Sequence, residues 1–305
     1  MKKDLQMNRV FTFLAVFALL VSAAGCQEHY TEYSDAEYIM FSDTVAVYPV
    51  LKDADYFPVP VVSTVACPYD RTIGVEIIDR GSNAIEGLHY ALKSNTVTIK
   101  AGERRADVYV RGIYDNIEPE DSLGFTMKLV MDEALELPLY GTETKVVLMK
   151  CCPFDVNSFC GHAVVTSMFL YQYSLTGSYQ RLIKTEPSEK ENTVICRGLL
   201  YDGYDVELTF DTSDPLNPIV TLPEVQVLSD EGSVFGIAYG DDKILVTHST
   251  LYPSYFNTCQ NYVALWIKAY VEDLGSPIGT VGNFYNVLEW VSEEEAERLH
   301  REEGL

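Results

Sequence analysis

Between Asn261 and Glu272 the side chains sort by alternation into two kinds. Val263, Leu265, Ile267, Ala269 and Val271 share one face and are wholly apolar, while Tyr262, Ala264, Trp266, Lys268, Tyr270 and Glu272 share the other. Successive side chains of a strand point to opposite faces, so the first set reads as core and the second as surface. Tyr and Trp each carry a flat apolar face and a hydrogen-bonding edge. A row of them beside an ammonium group can stack on a sugar ring, which makes Tyr262, Trp266, Lys268 and Tyr270 the ligand-binding candidates. The competing use is structural, since such residues also pair across strands, line domain interfaces or pack beneath a helix. A weaker aromatic group, Tyr171, Tyr173 and Tyr179, flanks Thr176-Gly177.

Other chemistry is thinly marked. The sequence carries no nucleophile elbow, P-loop, dinucleotide fingerprint or His-Glu-x-x-His motif, so no enzyme is expected. The five histidines, His29, His89, His162, His248 and His300, fall in no recognisable constellation. The stretch Asp211 to Asn217 offers oxygen ligands but reads first as a turn. Cys67, Cys151, Cys152, Cys160, Cys196 and Cys259 allow up to three disulfides, and their spacing specifies no framework. Their spacing also lacks the paired two-residue separations of structural zinc sites.

The chain has 305 residues and a formal charge of −23. Its first 25 residues hold three bases, Lys2, Lys3 and Arg9, and one acid, Asp4, so a chain without them has 19 basic and 44 acidic residues and a charge of −25. Such a surface repels nucleic acid and anionic membranes, and nucleic acid is excluded as a partner. The basic start, the uncharged run Val10 to Leu20 and the small residues Val21 to Gly25 form a secretory signal, whose apolar run is too short to span a bilayer. Ala23-Ala24-Gly25-Cys26 resembles a bacterial lipoprotein signal. The resemblance implies lipidation of the Cys26 thiol, removal of residues 1–25 and membrane attachment through that lipid alone. Translation starting at Met7 preserves the pattern. Residues 26–37 read as a tether. Glu28, Glu32 and Asp35 there resemble weakly the acidic export cue of Bacteroidota surface lipoproteins, which implies an outer-membrane, lipid-anchored protein at the cell surface.

From residue 38 to 150 the chain reads as about seven short strands. Ile73, Val75 and Ile77 share a face, as do Val97 and Ile99, Ala106, Val108 and Val110, and Phe125, Met127 and Leu129. Alternation broken by Gly, Asn, Asp and Pro predicts a β-sandwich. Glu86-Gly87-Leu88-His89-Tyr90, then Ala101-Gly102, then Ala106 to Val110, with Glu118 to Asp121 and Phe125 to Leu129 following, resembles the Calx-beta family. It is similar as well to the first domain of several Bacteroidota lipoproteins of unknown function. Some Calx-beta domains hold calcium through carboxylates at one end of the sandwich. That implies Asp115, Glu118, Glu120 and Asp121 as metal candidates, although the acidic pair of those domains is Asp115-Asn116 here. A solvated acidic loop is the alternative.

Cys151 to Asp155 reads as a boundary, and residues 154–291 as a second antiparallel β domain, either a small barrel or a second sandwich. Gly161 to Tyr173 and Val234 to Ala238 read as strands. Ser292 with Glu295 makes a capping box, acids crowd the first turn and Arg298 to Arg301 the last, predicting a short surface helix over 292–304. The fold expected is therefore all-β: an Ig-like, Calx-beta-like sandwich, then a barrel or sandwich, then a helix. The function expected is non-catalytic: a binding or adhesion module for glycans, a protein-binding subunit of a surface assembly, or a calcium-stabilised module.

Overall fold

The computed structural model describes residues 37–136, 141–174 and 177–305. Cys26, the signal segment and most of the tether lie outside the described residues. The first body is a two-sheet sandwich. One sheet runs β1 (Ile39–Phe41), β3 (Phe57–Ser63), β7 (Arg105–Gly112), β5 (Tyr90–Leu92). The other runs β2 (Val45–Val50), β9 (Glu143–Lys150), β8 (Leu123–Val130), β4 (Arg71–Ile78), β6 (Thr96–Ile99). Pairing is antiparallel except between β2 and β9, which run parallel with Val47 opposite Val147. Phe125, Met127 and Leu129 are fully buried between the sheets, and the ring of Tyr90 stacks on Phe125 with centroids 3.7 Å apart. Arg71, itself buried, ties the first described residue to this body: its Nη1 donates to Glu37 Oε1 and Ser63 Oγ, and its Nη2 to the Glu103 carbonyl.

The second domain is a closed antiparallel barrel, which settles the choice between barrel and sandwich. Its strands follow in chain order: β10 (Gly161–Ser167), β11 (Gln180–Pro187), β12 (Thr193–Arg197), β13 (Val206–Asp211), β14 (Ile219–Thr221), β17 (Tyr255–Asn257), β18 (Tyr262–Asp273) and β19 (Ser276–Val291). β19 closes the ring on β10, with Leu288 opposite Val165. Two further strands, β15 (Gln226–Ser229) and β16 (Ile244–His248), complete the wall above β14 and β17. Thus β18 pairs with β17 through Tyr262 to Ala264 and with β16 through Ile267 to Val271. Side chains seal the two splits. Gln226 exchanges hydrogen bonds with the backbone of Glu207 on β13, and Ser254 Oγ accepts from the Trp266 amide on β18.

The interior is filled. At the end near the sandwich Phe154, Phe159, Phe210, Phe256 and Trp290 interlock, and at the far end Phe169, Tyr173, Phe235 and Phe284 do the same. Polar side chains also enter the core, Ser167, Thr185 and Asn286 among them. Asn286 is fully buried and satisfied, its Oδ1 accepting from Ser167 Oγ and its Nδ2 donating to the Leu265 and Phe284 carbonyls.

Two expected strands are helices instead. The strand from Gly161 stops at Ser167, and Met168–Tyr173 turns into α1 because Ser167 Oγ accepts from the Phe169 and Leu170 amides. Val234 belongs to α2 (Glu231–Phe235), capped by Asp230 at its start and by Gly236 in the left-handed region at its end. The final helix, α3 (Glu293–Glu302), starts on the Ser292 hydroxyl, which accepts from the Glu295 amide as the capping box predicts.

Candidate functional site

β18 is long enough to serve both surfaces of the barrel. Val263, Leu265, Ile267 and Ala269 are fully buried inside, and Tyr262, Trp266, Lys268 and Tyr270 project outward and stay partly exposed. The structure places the four candidates on one face but divides them among three neighbourhoods. Tyr262, at the lower end, meets the ring of Tyr255 edge-on at 6.4 Å. Trp266 stacks on Tyr252 at 4.3 Å and leans on Tyr285 at 5.1 Å. Lys268 Nζ lies 5.8 Å from the Tyr270 ring centroid, further up.

Tyr252, Tyr255 and Tyr285 are the residues that reasoning from one strand missed. β19 brings Tyr285 opposite Trp266, β17 brings Tyr255 opposite Ala264, and Tyr252 reaches over from the loop after β16. Ser249 holds that loop by accepting from the Leu251 and Tyr252 amides while donating to Asn283 Oδ1. Their roles differ. One face of Trp266 is covered by Tyr252, so the indole is a brace. Tyr252 and Tyr255, 46 % and 45 % exposed, present the outer surface. Burial pushes the Tyr285 hydroxyl above its ordinary pKa, and the neighbouring Tyr255 adds to the rise. The Tyr285 phenol is thus a neutral hydrogen-bonding group at physiological pH. The wall offers flat rings with hydroxyl edges, the chemistry for stacking on a ring that is apolar on one face and polar at its rim.

The wall runs down into a cleft of about 650 Å³ between barrel and sandwich. Tyr255, Tyr262 and Ile219 line its barrel side, Val147 and Met149 of β9 its sandwich side, and Asp121 its rim. A disulfide joins Cys152 in the linker to Cys259 in the turn between β17 and β18, and Thr258 Oγ1 donates to the Cys152 carbonyl. Gln260 Nε2 reaches across to Glu120 Oε1 at 3.0 Å. Cys67, Cys151, Cys160 and Cys196 are free thiols. Desolvation pushes the Cys151 thiol up to about 11, which leaves it protonated and unreactive.

The carboxylates proposed for calcium have other work. Asp121 Oδ2 accepts from the Glu118 amide and closes its own turn, Glu120 spans to the barrel, and Asp115 sits exposed in a short 3-10 turn. Among the described residues no three His, Cys, Asp or Glu side chains are grouped so as to hold a metal ion. The four described histidines also stand apart, His89 in a loop, His162 on β10, His248 on β16 and His300 on α3.

The family model of DUF4984, a domain of unknown function, matches residues 139–302. The chain belongs to the DUF4984 family. The DUF4984 region therefore takes in the last sandwich strand, the disulfide-bonded linker, the whole barrel and α3. No curated protein matches the chain. Among solved structures the chain is similar to the apo form of the Calx CBD1 domain, at 16 % identity and a TM-score of 0.31, over 37 % of this chain and 96 % of that one. It is also similar to a putative carbohydrate binding protein from Bacteroides ovatus, at 12 % identity and a TM-score of 0.29, over 81 % and 74 % of the two chains. An auxiliary nutrient binding protein from Bacteroides thetaiotaomicron matches at 15 % identity and a TM-score of 0.29, over 82 % and 91 %. Resemblance at this level concerns fold and carries no ligand to this chain.

Proposed function

We propose that this DUF4984 protein is a non-catalytic binding module that takes a glycan on the wall formed by Tyr252, Tyr255, Tyr262, Trp266 and Tyr285. The observation that carries the reading is convergence. Three strands and one loop deliver five aromatic side chains to one outward surface, although the barrel has no use for them in its filled core. Bound sugar rings would lie on Tyr252 and Tyr255, and a longer chain would continue past Tyr262 into the cleft. The residues of the signal segment support a setting for this activity: an exported protein, anchored by lipid at Cys26 and displayed at the outer membrane of the cell.

Affinity electrophoresis against a broad panel of polysaccharides tests the binding. Retardation by at least one glycan, lost in the Tyr252→Ala/Tyr255→Ala double variant, is the expected result. No retardation across the panel, or an unaltered double variant, overturns the reading. The setting has its own test. Cys26→Ser should release the protein from the membrane fraction, and protease added to intact cells should remove the wild-type signal.

A further inference from the structure

A second group of rings and charges lies on the sandwich, on the outer face of the sheet β1-β3-β7-β5. The Lys93 amide donates to the Tyr109 carbonyl, and Ala91 stands opposite Arg111, so Lys93, Tyr109 and Arg111 share one outward face of β5 and β7. Pro58 of β3 stands opposite Tyr109, which brings Tyr56, just before that strand, beside Arg111. Lys93 Nζ lies 5.0 Å from the Tyr109 ring centroid and 5.7 Å from that of Tyr56, and Arg111 Cζ lies 5.3 Å from Tyr56. Rings and cations therefore alternate in a row across the strands: Tyr109, Lys93, Tyr56, Arg111.

What singles them out is that two cations without an ion pair lie against one ring, that of Tyr56. Several exposed cations of this acidic chain are paired, as in Arg105–Asp107, Lys100–Asp70, Lys190–Glu207 and Arg197–Glu186, while others, Lys52, Arg104, Lys145 and Lys184 among them, are in no ion pair of the described residues. No ion pair of the described residues includes Lys93 or Arg111. The nearby Asp55 carboxylate is turned to the Tyr56 amide. On a chain of charge −23 a pair of cations left open is a local inversion of the field.

We propose that this row is a binding site for an acidic saccharide, one that carries a carboxylate or a sulfate on its ring. The guanidinium of Arg111 matches the paired oxygens of either group, and Lys93 supplies a second charge. A pyranose presents a stackable face beside its anionic substituent, as Tyr56 and Tyr109 alternate with the cations. An extended anionic membrane fits less well, because it would meet the repulsion of the whole acidic surface, whereas a small ligand meets only the local patch. The site is separate from the barrel wall and does not depend on it.

Titration calorimetry of the full chain with trigalacturonate, with its neutral methyl ester and with a sulfated neutral trisaccharide tests this. The expected result is binding of at least one acidic probe, carboxylate or sulfate, at least tenfold tighter than the ester. Lys93→Ala/Arg111→Ala should lose at least tenfold in affinity at an unchanged melting temperature, while Tyr252→Ala keeps it. Arg111→Lys should lose part of the affinity, through loss of the paired hydrogen bonds. Several outcomes overturn the proposal: no binding of either acidic probe, equal affinity for acid and ester, an unaffected double variant, loss of binding in Tyr252→Ala, or binding only to vesicles of anionic phospholipid.

Discussion

Trp290 and Trp266 sit on adjacent strands of one barrel and are used in opposite ways. The indole of Trp290 enters the filled interior, meets Phe159 edge-on at 5.0 Å and donates from Nε1 to Thr185 Oγ1. Trp266 points outward and is held only by Tyr252, Tyr285 and the residues beside them. A closed barrel with a packed interior has no further room for large rings. An aromatic residue on an outward position is then supported by other surface aromatics or by nothing. Here it is supported, and the supporting residues are the ones that reach solvent.

The sharpest way to break this contrast is to delete each indole in turn. Trp290→Ala should cost about 3–5 kcal/mol, because it leaves a cavity among packed rings and removes the hydrogen bond that Thr185 Oγ1 accepts; denaturant unfolding checks it. The Cys152→Ser/Cys259→Ser double variant should cost about 2–4 kcal/mol by freeing the junction. Its near-ultraviolet dichroism should stay native, since the interior is untouched. Trp266→Ala should cost only about 1 kcal/mol, the worth of two exposed ring contacts, yet abolish glycan retardation. A Trp266 variant as unstable as the Trp290 variant would show that the wall is core after all. Tyr252→Ala should change stability by less than about 0.5 kcal/mol and still weaken binding severalfold.

The smallest effect concerns charge on the outer face of β13. The hydrogen bond from Lys190 holds the Glu207 carboxyl below its usual value of 4.5. Its contribution to stability is therefore complete above that value and is lost as the pH falls through the lowered one. Lys190→Ala should remove this increment, seen as a slightly smaller drop in melting temperature between pH 7 and pH 3.

Alternation made β18 legible, because period two separates Val263 to Val271 from Tyr262 to Tyr270 without reference to any other strand. The same rule carried Val97, Ile99, Phe125, Met127 and Leu129 to the sandwich core. It says nothing of which face looks inward where both are apolar. In β2 the inward residues are Tyr48 and Val50, while Val45 and Val47 are exposed. The partners Tyr252, Tyr255 and Tyr285 were not legible, since register between distant strands is set by closure of the barrel. α1 and α2 were hidden by apolar runs that resemble strands. Their caps, Ser167 and Asp230, were in view, but capping side chains are also common in turns. The acidic loop was legible only as residue types, and the turn bond from the Glu118 amide to Asp121 is a matter of geometry.

The parallel pairing of β2 with β9 has a mechanical consequence. The chain enters the sandwich at its first strands and leaves for the barrel at the end of β9. Tension between the N-terminal side and the barrel would first peel the three residues of β1. It would then draw β2 and β9 along their common axis in opposite senses. The six paired positions from Val45 to Val50 would carry that load together, in shear. Strands pulled sideways come apart bond by bond, whereas strands pulled lengthwise must break several bonds at once. Beyond β9 the Cys152–Cys259 bond passes the load to the turn that leads into β18, the strand that carries Tyr262 and Trp266. Force applied at the first strand and the barrel would thus be met in shear and carried along the disulfide to the aromatic wall.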